Sequence, residues 1–205
     1  MFITASGGTS YSYYKHKVER TKGNRKMILE NKKIKQALEY IKEEDPATTQ
    51  DTLNMCQIPA PSYNEEKKAE YIRERFREIG LRDVRIDAVG NVLGIWPGTG
   101  EGPSVMLAAH TDTVFPEGTD LTIRKEGNRY YCPGINDDTH AVAEMIAVAK
   151  AMIHADLHTK GDLIFCANVC EEGLGDLRGV KYLFGYDNKA SEECPEVDAF
   201  VSVSY

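Results

Sequence analysis

From residue 27 onward, apolar positions recur first at helical and then at strand spacing. Leu29, Ile34, Leu38 and Ile41 share one face of an amphipathic helix, with Lys and Glu on the other. Pro46 opens a second short helix whose apolar positions are Leu53, Met55 and Ile58, and Pro59-Ala60-Pro61-Ser62 breaks it. Residues 62–79 read as a third helix closed by Gly80, with Glu65-Glu66-Lys67-Lys68 as a solvated face. Strand patterns follow at 84–86, 92–96 and 105–109. Gly98, Gly100 and Gly102 between the last two predict a hairpin loop; they open no helix, so they do not form a phosphate cradle. Shorter strands are expected at 121–124 and 129–132. Val142, Met145, Ile146, Ala149 and Ile153 place a helix from about Asp138. A strand at 163–169, a helix at 176–184 and a strand at 199–203 complete the pattern. Strands alternating with helices predict an α/β fold, a mixed sheet flanked by helices.

Charge divides the chain in two. Residues 1–26 carry six Lys/Arg (Lys15, Lys17, Arg20, Lys22, Arg25, Lys26) against Glu19, whereas the chain as a whole has a net charge of -7. The basic stretch is rich in Gly, Ser, Thr and Tyr and lacks apolar periodicity, so it is expected to be a disordered extension ahead of a start at Met27. Residues 27–205 form the structured domain in this reading. The acidic balance argues against a nucleic-acid or anionic-membrane partner, and no apolar run is long enough to cross a bilayer. A nucleic-acid-binding reading would rest on the basic arm alone. The five cysteines (Cys56, Cys132, Cys166, Cys170, Cys194) are scattered, with no Cys-x-x-Cys pair, and Cys166 and Cys170 are expected to pack. No secretory signal opens the chain, and a reduced, cytoplasmic protein is expected.

Polar residues gather where apolar runs end. The run 105–109 ends in His110-Thr111-Asp112, and 163–169 ends in Cys170-Glu171-Glu172. Asp137-Asp138 follows Pro133-Gly134-Ile135-Asn136 at a helix start, where Asp138 is expected to serve as N-cap. Ligands of open α/β sheets collect at the carboxyl ends of strands, so these segments are expected to share one edge. Carboxylates crowded there repel unless a cation compensates, and an imidazole with Asp/Glu oxygens is a reasonable zinc ligand set. On a strand, His110 and Asp112 leave the same face, which lets Asp112 accept a hydrogen bond from the ring nitrogen not used for metal. Of Glu171 and Glu172, one would bind metal and the other handle protons. His140, His154 and His158 are expected to pack or lie at the surface.

His110-Thr111-Asp112-Thr113-Val114, Gly134-Ile135-Asn136-Asp137-Asp138-Thr139 and the run from Cys170-Glu171-Glu172 through Gly179 resemble three successive motifs of a zinc exopeptidase and deacylase family. That family includes peptidase T, carboxypeptidase G, aminoacylase, acetylornithine deacetylase and succinyl-diaminopimelate desuccinylase. The resemblance covers about residues 27–203. It implies that His110 binds one zinc, Asp137 bridges two and Glu172 binds the second. Glu171 would then be the general base, Asp112 would orient His110, and the peptide bond Asp137–Asp138 would be cis. Substrates implied are short peptides or N-acyl amino acids. Gly173-Leu174-Gly175-Asp176-Leu177-Arg178-Gly179 resembles the peptidase T branch and so favours an aminopeptidase, with a deacylase or carboxypeptidase as the alternative within the class.

Two departures from the family pattern qualify this reading. Ser204-Tyr205 occupy the place of an expected acid–glycine pair. The family's lid and dimerisation domain and its final metal-binding His also have no counterpart, so the catalytic domain reads as incomplete although the family is often dimeric. A truncated chain with weak metal binding and little or no catalysis is therefore expected. The reading from another class is a non-catalytic fragment or pseudoenzyme that binds a peptide or a partner.

Overall fold

The structure, a computed structural model, describes residues 27–185 and 191–204; the basic arm expected over 1–26 lies outside the described residues. Helix α1 spans Lys32–Glu43, its first turn closed by Asn31 Oδ1, which accepts the Lys33 N–H at 2.9 Å. Helix α2 (Asp45–Cys56) begins with Pro46, where a missing N–H is tolerated. Helix α3 (Glu66–Glu78) ends before Gly80, whose φ of 88° only glycine adopts at low cost. Strands β1 (Arg82–Ile86), β2 (Val92–Trp96) and β3 (Val105–His110) follow, then the short β4 (Arg124–Glu126) and β5 (Arg129–Tyr131). After them come α4 (His140–His154), β6 (Leu163–Asn168), α5 (Arg178–Phe184) and β7 (Ala199–Ser202).

The main sheet is mixed, in the order β1-β2-β6-β3-β7. β6 lies antiparallel to β2 but parallel to β3, and β3 is also parallel to β7. The hairpin expected around Gly98 to Gly102 is therefore corrected, because β6 inserts between β2 and β3. Those glycines instead let the crossing backbone press against the segment before β6. A Cβ on Gly98 would fall 2.4 Å from the Gly161 carbonyl oxygen, and one on Gly102 2.4 Å from Lys160 Cβ. The strand expected at 121–124 is likewise displaced to β4, which pairs with β5 in a separate two-stranded ribbon.

Alternation along the strands feeds two cores. On one face Val92, Ala109, Phe165 and Ala167 meet Met55 of α2, Ile72 and Phe76 of α3, and Val142, Met145 and Ile146 of α4. On the other, Leu93, Met106, Ala108, Ile164 and Cys166 meet Leu183 of α5. Each fully buried side chain of this size contributes about 1.5–3 kcal/mol of transfer free energy. β3, α4 and β6 make a parallel crossover unit that carries the ends of β3 and β6 to one edge, where the Thr111 N–H donates to the Asn168 carbonyl at 2.8 Å. At the other flank of the sheet, β7 is exposed along its length. No helix among the described residues is long and apolar enough to cross a membrane.

Two helix starts differ from the sequence reading. α4 begins at His140 rather than Asp138, because Asp137 (φ -113°, ψ 96°) and Asp138 (φ -124°, ψ 21°) are not helical. α5 begins at Arg178, because Asp176 and Leu177 have positive φ. Each displaced start leaves an irregular polar turn at the edge shared by β3 and β6.

Candidate active site

His110 ends β3 and is almost fully buried. Its Nδ1 lies 3.1 Å from the Asp112 backbone oxygen and 3.4 Å from Asp112 Oδ1, so the carbonyl is the nearer acceptor and the carboxylate expected to hold the ring stands just behind it. The other ring nitrogen, Nε2, faces the Asp137-Asp138 turn, 3.1 Å from Asp137 Oδ1 and 4.0 Å from Asp138 Oδ2. The Asp137–Asp138 peptide is cis. The turn is built on Gly134, whose φ of 71° suits glycine and whose added Cβ would fall 2.5 Å from Thr113 Cγ2.

Asp138 is the correction with the largest consequence. Its expected role as an N-cap is not filled. Oδ2 instead accepts the His110 N–H at 3.0 Å, and Oδ1 is buried with no hydrogen-bond partner among the described residues. A buried acceptor without a donor is costly unless something else meets it. Burial, with the nearby Asp137 and Glu171 carboxylates, outweighs the favourable His110 contacts and pushes the Asp138 carboxyl up to about 7.

Asp112 is fully buried and organises the neighbouring turn. Oδ1 accepts the Glu171 N–H at 2.9 Å, and Oδ2 accepts the Glu172 N–H at 3.1 Å and the Ser62 hydroxyl at 2.6 Å. Burial alone would raise this carboxyl, but the His110 ring and these donors hold it below the usual Asp value. A second buried carboxylate, Glu65, accepts the Cys170 N–H at 2.9 Å and its thiol at 3.3 Å. Three consecutive backbone amides, from Cys170 to Glu172, are therefore fixed by two carboxylates. Asn91 anchors the same turn from behind, accepting the Val169 N–H and donating to the Gly179 carbonyl, both at 3.0 Å.

The expected solvated face of α3 is only partly solvated. Glu66 and Lys67 are exposed, but Glu65 and Lys68 are buried. Lys68 Nζ donates to the Thr111 carbonyl at 3.1 Å and to Thr139 Oγ1 at 3.3 Å, joining the loop after β3 to the turn before α4. Desolvation lowers its ammonium to about 8. Ser62, Glu65, Lys68 and Asn91 are not among the site residues expected from the sequence. Only the first three gave any signal, as polar residues just after Pro61 in a run that helical spacing alone assigns to solvent.

Ligand-capable atoms of His110, Asp137 and Asp138 lie within 4.8 Å of one another, as do those of His110, Glu171 and Glu172. Every site residue expected from the sequence thus falls at one edge. The donor set fits a divalent cation. It offers one imidazole and several carboxylate oxygens, and their mutual repulsion is visible in Glu172, which burial and the nearby Asp137 carboxylate push upward. His110 in turn is raised to about 9: burial opposes its charge, but the Asp112 hydrogen bond and the Asp138, Asp112 and Glu171 carboxylates prevail.

Among the described residues, the remaining histidines pack or lie at the surface, as expected. His154 stacks on Tyr40 with centroids 4.2 Å apart, and His158 on Trp96 at 4.4 Å. His140 Nε2 lies 3.2 Å from Glu144 Oε1. Ser204, expected at the place of a metal-binding acid, is exposed just beyond β7.

Residues 106–204 match the model described as peptidase family M20/M25/M40. This match agrees with the resemblance read from the motifs, and the mixed α/β fold is that of peptidases of known structure. Among individual relatives, a Pyrococcus abyssi protein named for hydrolysis of LysW-lysine and LysW-ornithine is 34% identical over 120 residues, 58% of this chain and 32% of its own. Succinyl-diaminopimelate desuccinylase of Corynebacterium glutamicum is 30% identical over 132 residues, 64% of this chain and 35% of its own. The dipeptidase Dug1p of Saccharomyces cerevisiae superposes with a TM-score of 0.63 at 18% identity, over 83% of this chain and 40% of its own. A Staphylococcus aureus tripeptidase gives 0.59 at 22% identity, over 77% of this chain and 43% of its own. The chain spans about a third of the length of the curated relatives it matches.

Proposed function

We propose that this edge is the metal-and-base site of a hydrolase that cleaves amide bonds in short peptides, in the manner of an aminopeptidase. The observation that carries the reading is the convergence of His110, Asp137, Glu171 and Glu172 from three separate segments. His110 and Glu172 would each hold one zinc and Asp137 would bridge the two. Asp138 adds an oxygen within reach of the same space. Bound zinc supplies Lewis acidity and a water of lowered pKa. The chain's own part is to place and protonate. Asp112 fixes the His110 ring and aims the Glu171 turn through the amides it accepts. The Glu171 carboxylate takes a proton from the attacking water and returns it to the leaving amine nitrogen as the C–N bond breaks.

A second reading, a non-catalytic chain that binds a peptide or a partner, is favoured by one observation: exposed Ser204 stands where the resemblance calls for a metal-binding acid. The two readings are separated by assaying the full chain with added Zn²⁺ on Ala-Ala-Ala beside Glu171→Gln. Zinc-dependent release of alanine that the substitution abolishes supports hydrolysis. Zinc uptake without turnover in either protein supports the second reading. An N-acyl amino acid substrate in parallel discriminates a deacylase from an aminopeptidase.

A further inference from the structure

Two thiols from distant parts of the chain meet close to the turn that carries Asp137. Cys56 is the last residue of α2 and is buried; Cys132 follows β5 and is half-buried. The Cys132 thiol donates to the Cys56 carbonyl at 3.5 Å and to the Leu121 carbonyl at 3.4 Å, which sets it directly against the residue that carries the other thiol. Lys68 lines one small cavity together with Cys56, Phe115 and Pro133.

The pair also sits between two segments that the proposed chemistry uses. Four residues after Cys56, the Ala60 carbonyl accepts the Thr113 N–H at 2.9 Å, and Ser62 holds Asp112. Two residues after Cys132, Gly134 opens the turn bearing Asp137 and Asp138. A covalent link between the sulfurs would tie these two segments directly.

We propose that Cys56 and Cys132 form a reversible dithiol–disulfide site that a hydroperoxide closes. This inference does not depend on the hydrolase reading. The more exposed Cys132 reacts first. Its thiolate attacks peroxide oxygen, forming S–O as O–O breaks, and the departing hydroxide leaves as water. Cys56 then attacks the Cys132 sulfur, forming S–S as S–O breaks, and a second water leaves. Two thiols lose two electrons in total and one peroxide gains them. The order follows from the environments, since burial and the neighbouring Cys132 thiol push the Cys56 thiol up to about 12.

The test exposes the full chain to hydrogen peroxide, alkylates free thiols under denaturing conditions and maps disulfides by mass spectrometry without reduction. Alkylatable thiols should fall from the five of the sequence to three, with a Cys56–Cys132 peptide that dithiothreitol removes. Cys132→Ser should abolish that peptide and Cys194→Ser should leave it. A linkage between Cys166 and Cys194 instead, or sulfinic acid at Cys132 with Cys56 still alkylated, would overturn the proposal.

Discussion

Asp112 accepts the backbone N–H of Glu171 at 2.9 Å, so the carboxylate beside the His110 ring also sets the position of the proposed base. One buried group therefore couples the end of β3 to the turn after β6. Asp112→Ala leaves the Glu171 and Glu172 amides and the Ser62 hydroxyl without their acceptor. A loss of about 3–5 kcal/mol is expected, the cost of breaking a buried, charged hydrogen-bonded network. Urea unfolding measures it, and a midpoint within error of the wild type would contradict the coupling.

Glu65 makes a similar but smaller contribution. Glu65→Ala removes the acceptor of the Cys170 N–H and should cost about 1–3 kcal/mol. Glu65→Gln retains an acceptor oxygen and should recover most of that loss in the same unfolding experiment.

Gly134→Ala should disturb the turn that carries Asp137. The residue has positive φ, and the new Cβ would meet the Thr113 side chain. A cost of about 1–3 kcal/mol is expected from backbone strain alone, with weaker zinc binding measured by competition against a chromophoric chelator.

Metal removal should reveal a pH dependence with a defined sign. Asp138 has a folded value raised from 3.8 to about 7, so its contribution is fully present below 3.8 and is lost as pH rises through 7. His110 has a folded value raised from 6.5 to about 9; its contribution is fully present below 6.5 and is lost as pH rises through 9. Asp112, lowered, acts oppositely, and its contribution is lost only as pH falls below its ordinary 3.8. In EDTA the urea midpoint should therefore be higher at pH 5 than at pH 8. Asp138→Asn should reduce the difference. A midpoint that rises over this interval would contradict the assigned environments.

Much of the fold was legible because apolar spacing reports burial directly. Val105 to Ala109 and the run from Leu163 end in polar residues at the same edge, as the parallel pairing of β3 with β6 requires. The sequence could not show that β6 enters between β2 and β3, since strand order is decided by long-range pairing; the glycines at 98 and 102 therefore looked like a hairpin. In the site, His110, Asp112, Asp137, Glu171 and Glu172 stood out because their motifs resemble a known family. Glu65 and Lys68 did not, because a mixed charge run on a helix is usually solvated, whereas here Lys68 is buried against the loop after β3 and Glu65 against the turn after β6. Asp138 was read as a cap because it precedes α4, whereas the non-helical turn aims its carboxylate at His110.

Zinc binding by the full chain, set against single substitutions and measured by chelator competition with metal analysis, tests the central claim most directly. Zinc affinity should fall at least tenfold in His110→Ala and in Asp137→Ala, while Glu171→Gln should retain it. Unchanged zinc affinity in His110→Ala and Asp137→Ala, with both proteins folded, would contradict the assignment of this edge as the metal site.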